Sequence, residues 1–370
     1  MGAALQCMIP DHPPSIQPPR LWRPKQVLIT PAALKRQHGQ SIVQKVEALG
    51  IPVVRLPSDR LPLEREAEAR GFYARAKSTL AIVVAPPSKL KLQPIAPSAD
   101  WRVDLAEGCP AHCSYCYLAG SLKGPPITRV YANLDDITGV LPDHLGRGAV
   151  TSKSAARSGE GTTFEASCYT DPLAIEHLTG SLSSLISWFG RWQANAQLRF
   201  TTKFAAVEPL LGLDHQGRTR MRASLNPAEF ARFEGGTSPV GERLQALRRM
   251  ADAGYPIGLT VAPIIAADGW QEAYGGLISD IASVLGEVAA TADLTVELIT
   301  HRFTPGSKTV LQSWYPGSDL DMSEVGRREK RTRFNAVKHV YDAPTMKNLR
   351  CFFEQKITAE LPGSRILYWT

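Results

Sequence analysis

From residue 101 onward, short apolar runs that read as strands alternate with longer stretches of helical spacing, and this alternation limits the fold more than any other feature. The runs are WRVDLAEG (101–108), TTFEASC (162–168), QLRFTTK (197–203), TRMRASL (219–225), IGLTVAPI (257–264) and DLTVELIT (293–300). Between them, GERLQALRRMADAGYP sets Leu244, Leu247, Met250 and Ala251 on one helical face and stops at Gly254 and Pro256. An apolar stripe recurring every three to four residues buries one side of a helix, and glycine then proline ends it. Strands separated by helices are not joined by tight hairpins, so they predict parallel neighbours with crossover helices. Six such units predict an α/β fold containing a partial (β/α)6 TIM-type barrel over residues 101–320, with a doubly wound open sheet as the alternative.

Ahead of the barrel, residues 26–100 predict a separate N-terminal α/β segment. It holds a helical pattern in PAALKRQHGQSIVQKVEALG that ends at Gly50, a charged helix around PLEREAEARGFYARAK and the apolar run TLAIVVAPP. Residues 1–25, rich in proline and carrying Cys7, read as a flexible tail. HLGRGAVTSKSAARSGEGT, between the first two barrel units, is small and polar and predicts a flexible loop. Residues 321–370 form a C-terminal segment.

Hydrophobic residues make up 44% of the 370 and charged ones 21%, the composition of a folded globular protein. The first residues lack a basic stretch followed by an apolar core, and no run of about 18 apolar residues occurs, so a cytoplasmic protein with no membrane partner is expected. Six cysteines are too few for a disulfide scaffold and point to metal binding or catalysis. A formal charge of +7 favours an anionic partner such as nucleic acid.

Cys109, Cys113 and Cys116 lie in EGCPAHCSYCYLAG with spacing C-x3-C-x2-C, just after the first barrel strand. Structural zinc takes four protein ligands, commonly as two C-x2-C pairs, and no second pair is present. His112, adjacent to Cys113, is poorly placed to be a fourth. An iron-sulfur cluster held by three thiolates keeps one iron open to a small molecule, which is what catalysis needs. A non-catalytic zinc-bound DNA-binding protein is the alternative of another class.

The three-cysteine loop, with an aromatic residue before its last cysteine and a place after the first strand of a partial barrel, resembles that of the radical S-adenosylmethionine enzymes. Within them, GCPAHCSYCYL, RVYANLDD, FEASCYTDPLAIEHLTG, TTKFAAVEPLLGLDHQGRTRMRASLNP, FEGGTSP, GYPIGLTVAPI and VELITHRF resemble the spore photoproduct lyases from about residue 25 to the C-terminus. The resemblance implies a 4Fe-4S cluster on Cys109, Cys113 and Cys116, S-adenosyl-L-methionine as cofactor, damaged DNA as partner and an electron donor such as a flavodoxin or ferredoxin. It implies a light-independent repair lyase: a 5′-deoxyadenosyl radical takes hydrogen from C6 of 5-thyminyl-5,6-dihydrothymine, the methylene bridge breaks, and a cysteine returns hydrogen to the thymine radical. Cys168 matches that cysteine. Tyr115 and Tyr117 match tyrosines that relay an electron and proton. Lys203 matches the contact to the cofactor carboxylate, for which an ammonium is a suitable partner. Ser224 and Thr170 match polar contacts in the same site.

Cys168 ends a barrel strand, where barrel active sites lie, and Asp171-Pro172 open the next helix. Tyr169 departs from the family pattern, where a small residue follows the cysteine, and leaves open a related radical enzyme acting on another thymine lesion or nucleic-acid base. The resemblance also implies a C-terminal β-hairpin, followed by a helix, that grips DNA. RREKRTRFNAVKHVYDAPTMKNLR carries eight Lys or Arg with interleaved rings, and Arg331, Arg333, Phe334, Lys338 and Tyr341 are its candidate DNA-binding residues. Gly235-Gly236 follows the fourth strand and is not equated with a cofactor-binding Gly-Gly-Glu after the second. Cys351 is expected in the core, and Glu176 and His177 in local packing.

Overall fold

The computed structural model describes residues 21–62, 69–120, 125–166, 168–331 and 337–370. The tail up to residue 20 and residues 63–68 of the expected charged helix lie outside them. The N-terminal layer begins with β1 (Gln26–Ile29), α1 (Gln37–Ala48), β2 (Val53–Arg55), α2 (Ala69–Lys77) and β3 (Thr79–Val83). Then come β4 (Gln93–Ile95), β5 (Ala99–Val103), β6 (Ala106–Glu107), β7 (His112–Cys113) and β8 (Thr128–Tyr131). The first sheet has the order β2-β1-β3-β8-β6, so it takes two strands from beyond residue 100. Strand β8 reaches it by pairing in parallel with β3, which carries the chain back beneath the cysteine loop.

The second sheet is the partial barrel. It comprises β9 (Thr162–Ala166), β10 (Ala196–Thr202), β11 (Thr219–Leu225), β13 (Ile257–Ile264) and β14 (Thr295–Thr300), with the two-residue β12 (Glu234–Gly235) standing apart. The six expected strands lie side by side in sequence order, β5-β9-β10-β11-β13-β14, all parallel. Helices α3 (Ser181–Arg191), α4 (Val240–Asp252) and α5 (Trp270–Leu285) cross over between neighbours. On α4 the face named from spacing is the buried one, with Leu244, Leu247 and Met250 inside.

One edge is finished by β4, antiparallel to β5. The other is finished by an element the sequence reading lacked. After α6 (Pro305–Trp314), the hairpin β15 (Arg327–Arg331) and β16 (Val337–Tyr341), and α7 (Ala343–Glu360), the last strand β17 (Arg365–Trp369) pairs in parallel with β14. The C-terminal segment therefore holds a hairpin, a helix and a barrel strand. On α7 the core positions are Leu349, Phe353 and Ile357, four residues apart, which turns Cys351 outward; it is exposed, not core.

The small, polar stretch between β8 and β9 is pinned down. Asp100 accepts hydrogen bonds from Val150 N–H (2.7 Å), Thr151 Oγ1 (2.8 Å) and Thr163 N–H (2.9 Å). Buried Arg157 pairs with Glu160 at 2.9 Å and donates to the carbonyls of Pro97 and Ser98. Low apolar content hides this anchoring, because it comes from hydrogen bonds and ion pairs to strands before and after.

The barrel interior is charged. Arg222, fully buried, bridges Glu165 and Glu297, and Ser98 joins the same network. Removing one member of such a set leaves an uncompensated buried charge, at a cost of about 3–5 kcal/mol. The network fills the barrel below the strand ends and leaves the mouth to the groups described next.

Candidate active site

The cysteine loop is fastened from several sides. Gly108, at φ +78, stands where a Cβ would lie 2.3 Å from the Ile127 carbonyl oxygen, so only glycine admits the turn into Cys109. Strand β7 pairs antiparallel with β12, placing Cys113 opposite Glu234 and His112 opposite Gly235. The Ser114 N–H donates to Phe233 O at 2.9 Å, and Lys77 donates to the carbonyls of Cys109 and Ala111. Burial pushes the Cys109 thiol up to about 11, against the pull of Lys77, and pushes Cys113 up as well; Cys116 adds to both shifts, which places the three sulfurs within one electrostatic neighbourhood. Thiols so disposed must release protons to ligate a metal.

A second group lies against that loop. Lys203, just past β10, donates to Ser224 Oγ at 2.6 Å, Glu234 Oε1 at 3.0 Å and Ala262 O at 3.1 Å. Glu234 is buried and also receives Tyr115 Oη, Asn226 Nδ2 at 3.0 Å and the Arg243 guanidinium at 2.7 Å. Burial alone would raise this carboxyl, but Lys203 and Arg243 outweigh it and hold Glu234 down at about 2. Two of the predicted residues, Lys203 and Tyr115, are thus joined through one carboxylate that the sequence reading passed over, and Ser224 joins them through Lys203. The available signal was the residue before Gly235-Gly236, set aside because the pair follows the fourth strand.

The third group surrounds Cys168. Its thiol is half-buried, and burial, with Glu165 and Asp104 nearby, pushes it well above the ordinary value, Arg102 offsetting only part. Tyr117, 64% exposed, donates from Oη to the Cys168 carbonyl at 3.2 Å. Tyr169 lies under two cations: the Arg102 guanidinium is 4.4 Å and Lys89 Nζ 5.2 Å from its ring centre. Thr170 is buried, and its Oγ1 has no hydrogen-bond partner among the described residues. Asp171 accepts from Ala174 N–H (3.3 Å), Thr202 Oγ1 (2.7 Å) and Lys203 N–H (2.7 Å), so it caps a short 3-10 turn and ties the end of β9 to the end of β10. Cys168 and Lys203 are held at one rim by that carboxylate.

The hairpin divides the candidate DNA contacts. Arg331 is exposed and Lys338 half-buried, with Lys330 and Lys338 directly opposite each other. Arg333 and Phe334 fall outside the described residues. Tyr341 is buried: its Oη accepts the Ala266 N–H at 3.0 Å and the Arg327 guanidinium covers its ring at 4.3 Å. It is part of the hairpin's footing, not a ring offered to a base, because both its face and its hydroxyl are already engaged. Arg327 also donates to His301 O at 3.0 Å and joins the hairpin to the barrel.

The family described as spore photoproduct lyase matches residues 22–370 of the chain. This chain belongs to the spore photoproduct lyase family. The spore photoproduct lyase of Geobacillus sp. is 39% identical over 352 residues, spanning 94% of this chain and 98% of its own length. That of Bacillus subtilis is 36% identical over 353 residues, with the same coverage. A solved spore photoproduct lyase, a double mutant with bound AdoMet and dinucleoside spore photoproduct, superposes with a TM-score of 0.86 at 36% identity, covering 95% of this chain and all of that one. Another, complexed with dinucleoside spore photoproduct, gives 0.85.

For the cofactors that family membership implies, the donor chemistry fits. Among the described residues no three His, Cys, Asp or Glu side chains converge as the shell of a single ion. A tetrahedral zinc draws its donors to within about 2.0–2.3 Å of one centre, whereas thiolates on a cluster bind separate irons and stand further apart. Three thiols on one short loop suit a cluster, whose thiolates bind separate irons. The orphaned hydroxyls of Thr170 and Ser114 are where a polar cofactor is expected to find partners. No helix among the described residues is long and apolar enough to cross a membrane.

Proposed function

We propose that this protein is a light-independent DNA repair lyase that returns spore photoproduct to two thymines by radical S-adenosylmethionine chemistry. The observation that carries the proposal is that the three-cysteine loop, the Lys203–Glu234 group and Cys168 meet at one barrel mouth, in a chain of a family whose solved members hold AdoMet and the lesion. Cys109, Cys113 and Cys116 would hold a 4Fe-4S cluster. Together with S-adenosylmethionine, that cluster supplies the one-electron chemistry that starts the reaction, fed by a donor such as a flavodoxin or ferredoxin.

The chain's own groups do the rest. The Lys203 ammonium receives the carboxylate of the cofactor, with Ser224 and Thr170 as hydroxyl contacts, and Glu234 holds Lys203 in place. The Cys168 thiol, kept protonated by its surroundings, holds the hydrogen atom that the thymine radical takes at the end. Tyr117, bonded to the Cys168 carbonyl, and Tyr115, bonded to Glu234 beside the cysteine loop, would relay the electron and proton that restore that hydrogen. Arg331 and Lys338 meet backbone phosphates.

The cofactor half of this assignment is tested on anaerobically reconstituted protein by iron and sulfide analysis and by S-adenosylmethionine binding. The intact protein is expected to carry about four irons and to bind the cofactor, and joint replacement of Cys109, Cys113 and Cys116 by Ala is expected to abolish both. Iron retained by the triple variant, or zinc as the only stoichiometric metal in the intact protein, contradicts it.

A further inference from the structure

Beside Cys168 lies a charged group whose only part so far is its effect on the thiol. Asp104 follows the last residue of β5, and Cys168 follows the last residue of β9 by one position more; the two strands are neighbours in register, with Val103 opposite Ala166. Asp104 is 4% exposed. Two cations approach it, Arg102 Nε at 3.2 Å and Lys89 Nζ at 3.4 Å, and both approach the same oxygen, Oδ2. Oδ1 is buried without a hydrogen-bond partner among the described residues. Lys89 also pairs with Glu107, and both cations lie over the Tyr169 ring. Two carboxylates and two cations leave the group neutral, so ion pairing accounts for its charge but not for the idle oxygen.

A buried carboxylate oxygen left unpaired costs free energy until a donor reaches it. The groups around it specify that donor. One free acceptor oxygen, with two cationic donors gathered at its sister oxygen, suits an imide edge, where one N–H stands between two carbonyl oxygens. A thymine ring presents that edge at N3–H, O2 and O4. Enzymes that act on extruded bases read this edge by hydrogen bonds and cover the ring with aromatic side chains. Here Tyr169, next to the thiol that meets the lesion radical, has its ring against the two cations and holds them rather than a base.

We propose that Asp104 is a base-recognition residue: its Oδ1 accepts N3–H of one thymine-derived ring of the lesion, Arg102 and Lys89 face the flanking carbonyls, and Tyr169 keeps the two cations in place. The proposal rests on the repair reading and names the part of the substrate that this corner of the site takes. It also gives Tyr169, where the family pattern has a small residue, a task compatible with the same substrate class.

The test is a double cycle on binding, using the dinucleoside spore photoproduct and its derivatives methylated at N3 of one ring or the other. Dissociation constants are measured anaerobically for the intact enzyme and for Asp104→Ala and Asp104→Asn, each checked for iron content and S-adenosylmethionine affinity. Methylation of the recognised ring is expected to weaken binding to the intact enzyme by about 10- to 100-fold, the range of a hydrogen bond to a charged group. The same methylation is expected to change binding to Asp104→Ala less than threefold, because the partner is already gone. Asp104→Asn, which keeps shape and an acceptor oxygen, is expected to fall between. Equal penalties for both rings in all three proteins, or a matching loss of S-adenosylmethionine affinity in the Asp104 variants, overturn the proposal. An intact enzyme that neither binds nor converts the unmethylated lesion overturns the repair reading instead, which the intact-enzyme measurement shows before any variant is made.

Discussion

A thiol that gives up a hydrogen atom has to carry one, and the surroundings of Cys168 see to that: burial together with Glu165 and Asp104 disfavours the thiolate at neutral pH. In Cys168→Ala the lesion is expected to be consumed, because the chemistry that opens it starts elsewhere in the site. Recovered thymine should fall by tenfold or more, with adducts of the unquenched radical in its place, as chromatography of products from the dinucleoside lesion would show. Clean repair at the normal yield removes Cys168 from the mechanism. The cysteine loop was legible as a short motif, whereas Lys203 was named through the resemblance, a strand-end lysine being otherwise commonly solvated. Glu234 was not, since its value lies in partners far along the chain, Tyr115 being 119 residues away and Lys203 31. Asp104 was hidden for the same reason. An acidic residue at the end of a strand acquires meaning only once Lys89, Arg102 and Cys168 are seen around it.

The hairpin shows what charge patterning conveys at the level of an element and what it leaves out. Its basic character follows from RREKRTRF and VKHVY and its strands from the family resemblance, and β15 and β16 pair over five positions. Which of its side chains face solvent does not follow, because Tyr341 is drawn inward by Ala266 N–H and Arg327. Arg331→Ala and Lys338→Ala are each expected to weaken binding to lesion-containing duplex at every flanking sequence and to lower the salt slope by about 0.7–0.9 per lost phosphate contact. The dinucleoside lesion should be affected much less. Tyr341→Ala belongs to another category: it removes a buried ring, at about 3–5 kcal/mol of stability, and thermal unfolding rather than the salt slope records it. Equal losses on duplex and dinucleoside with an unchanged salt slope would mean that DNA is held elsewhere. The polar stretch before β9 teaches the same lesson, since its anchoring through Asp100 and Arg157 depends on residues that low hydrophobicity cannot reveal.

At the scale of the whole molecule, six strand runs and their order were legible because short strand-like runs alternate with helical patterns, although buried Glu165, Arg222 and Glu297 interrupt their apolar character. The closing strand β17 was missed because RILYW follows α7 within a segment read as a DNA-gripping hairpin and helix, apart from the barrel units. The two sheets and the hairpin all contribute to one mouth: β6, β7 and β12 hold the cysteine loop, the ends of β5, β9 and β10 hold Asp104, Cys168 and Lys203, and β16 stands on the loop after β13. Repair of the lesion is therefore the property of the assembled barrel. Its most direct measurement is the conversion of dinucleoside spore photoproduct to thymine by anaerobic, iron-loaded protein, with and without S-adenosylmethionine and a reductant. Two thymines are expected for each lesion consumed, only when both are present. Cofactor cleavage with the lesion left intact would contradict the account.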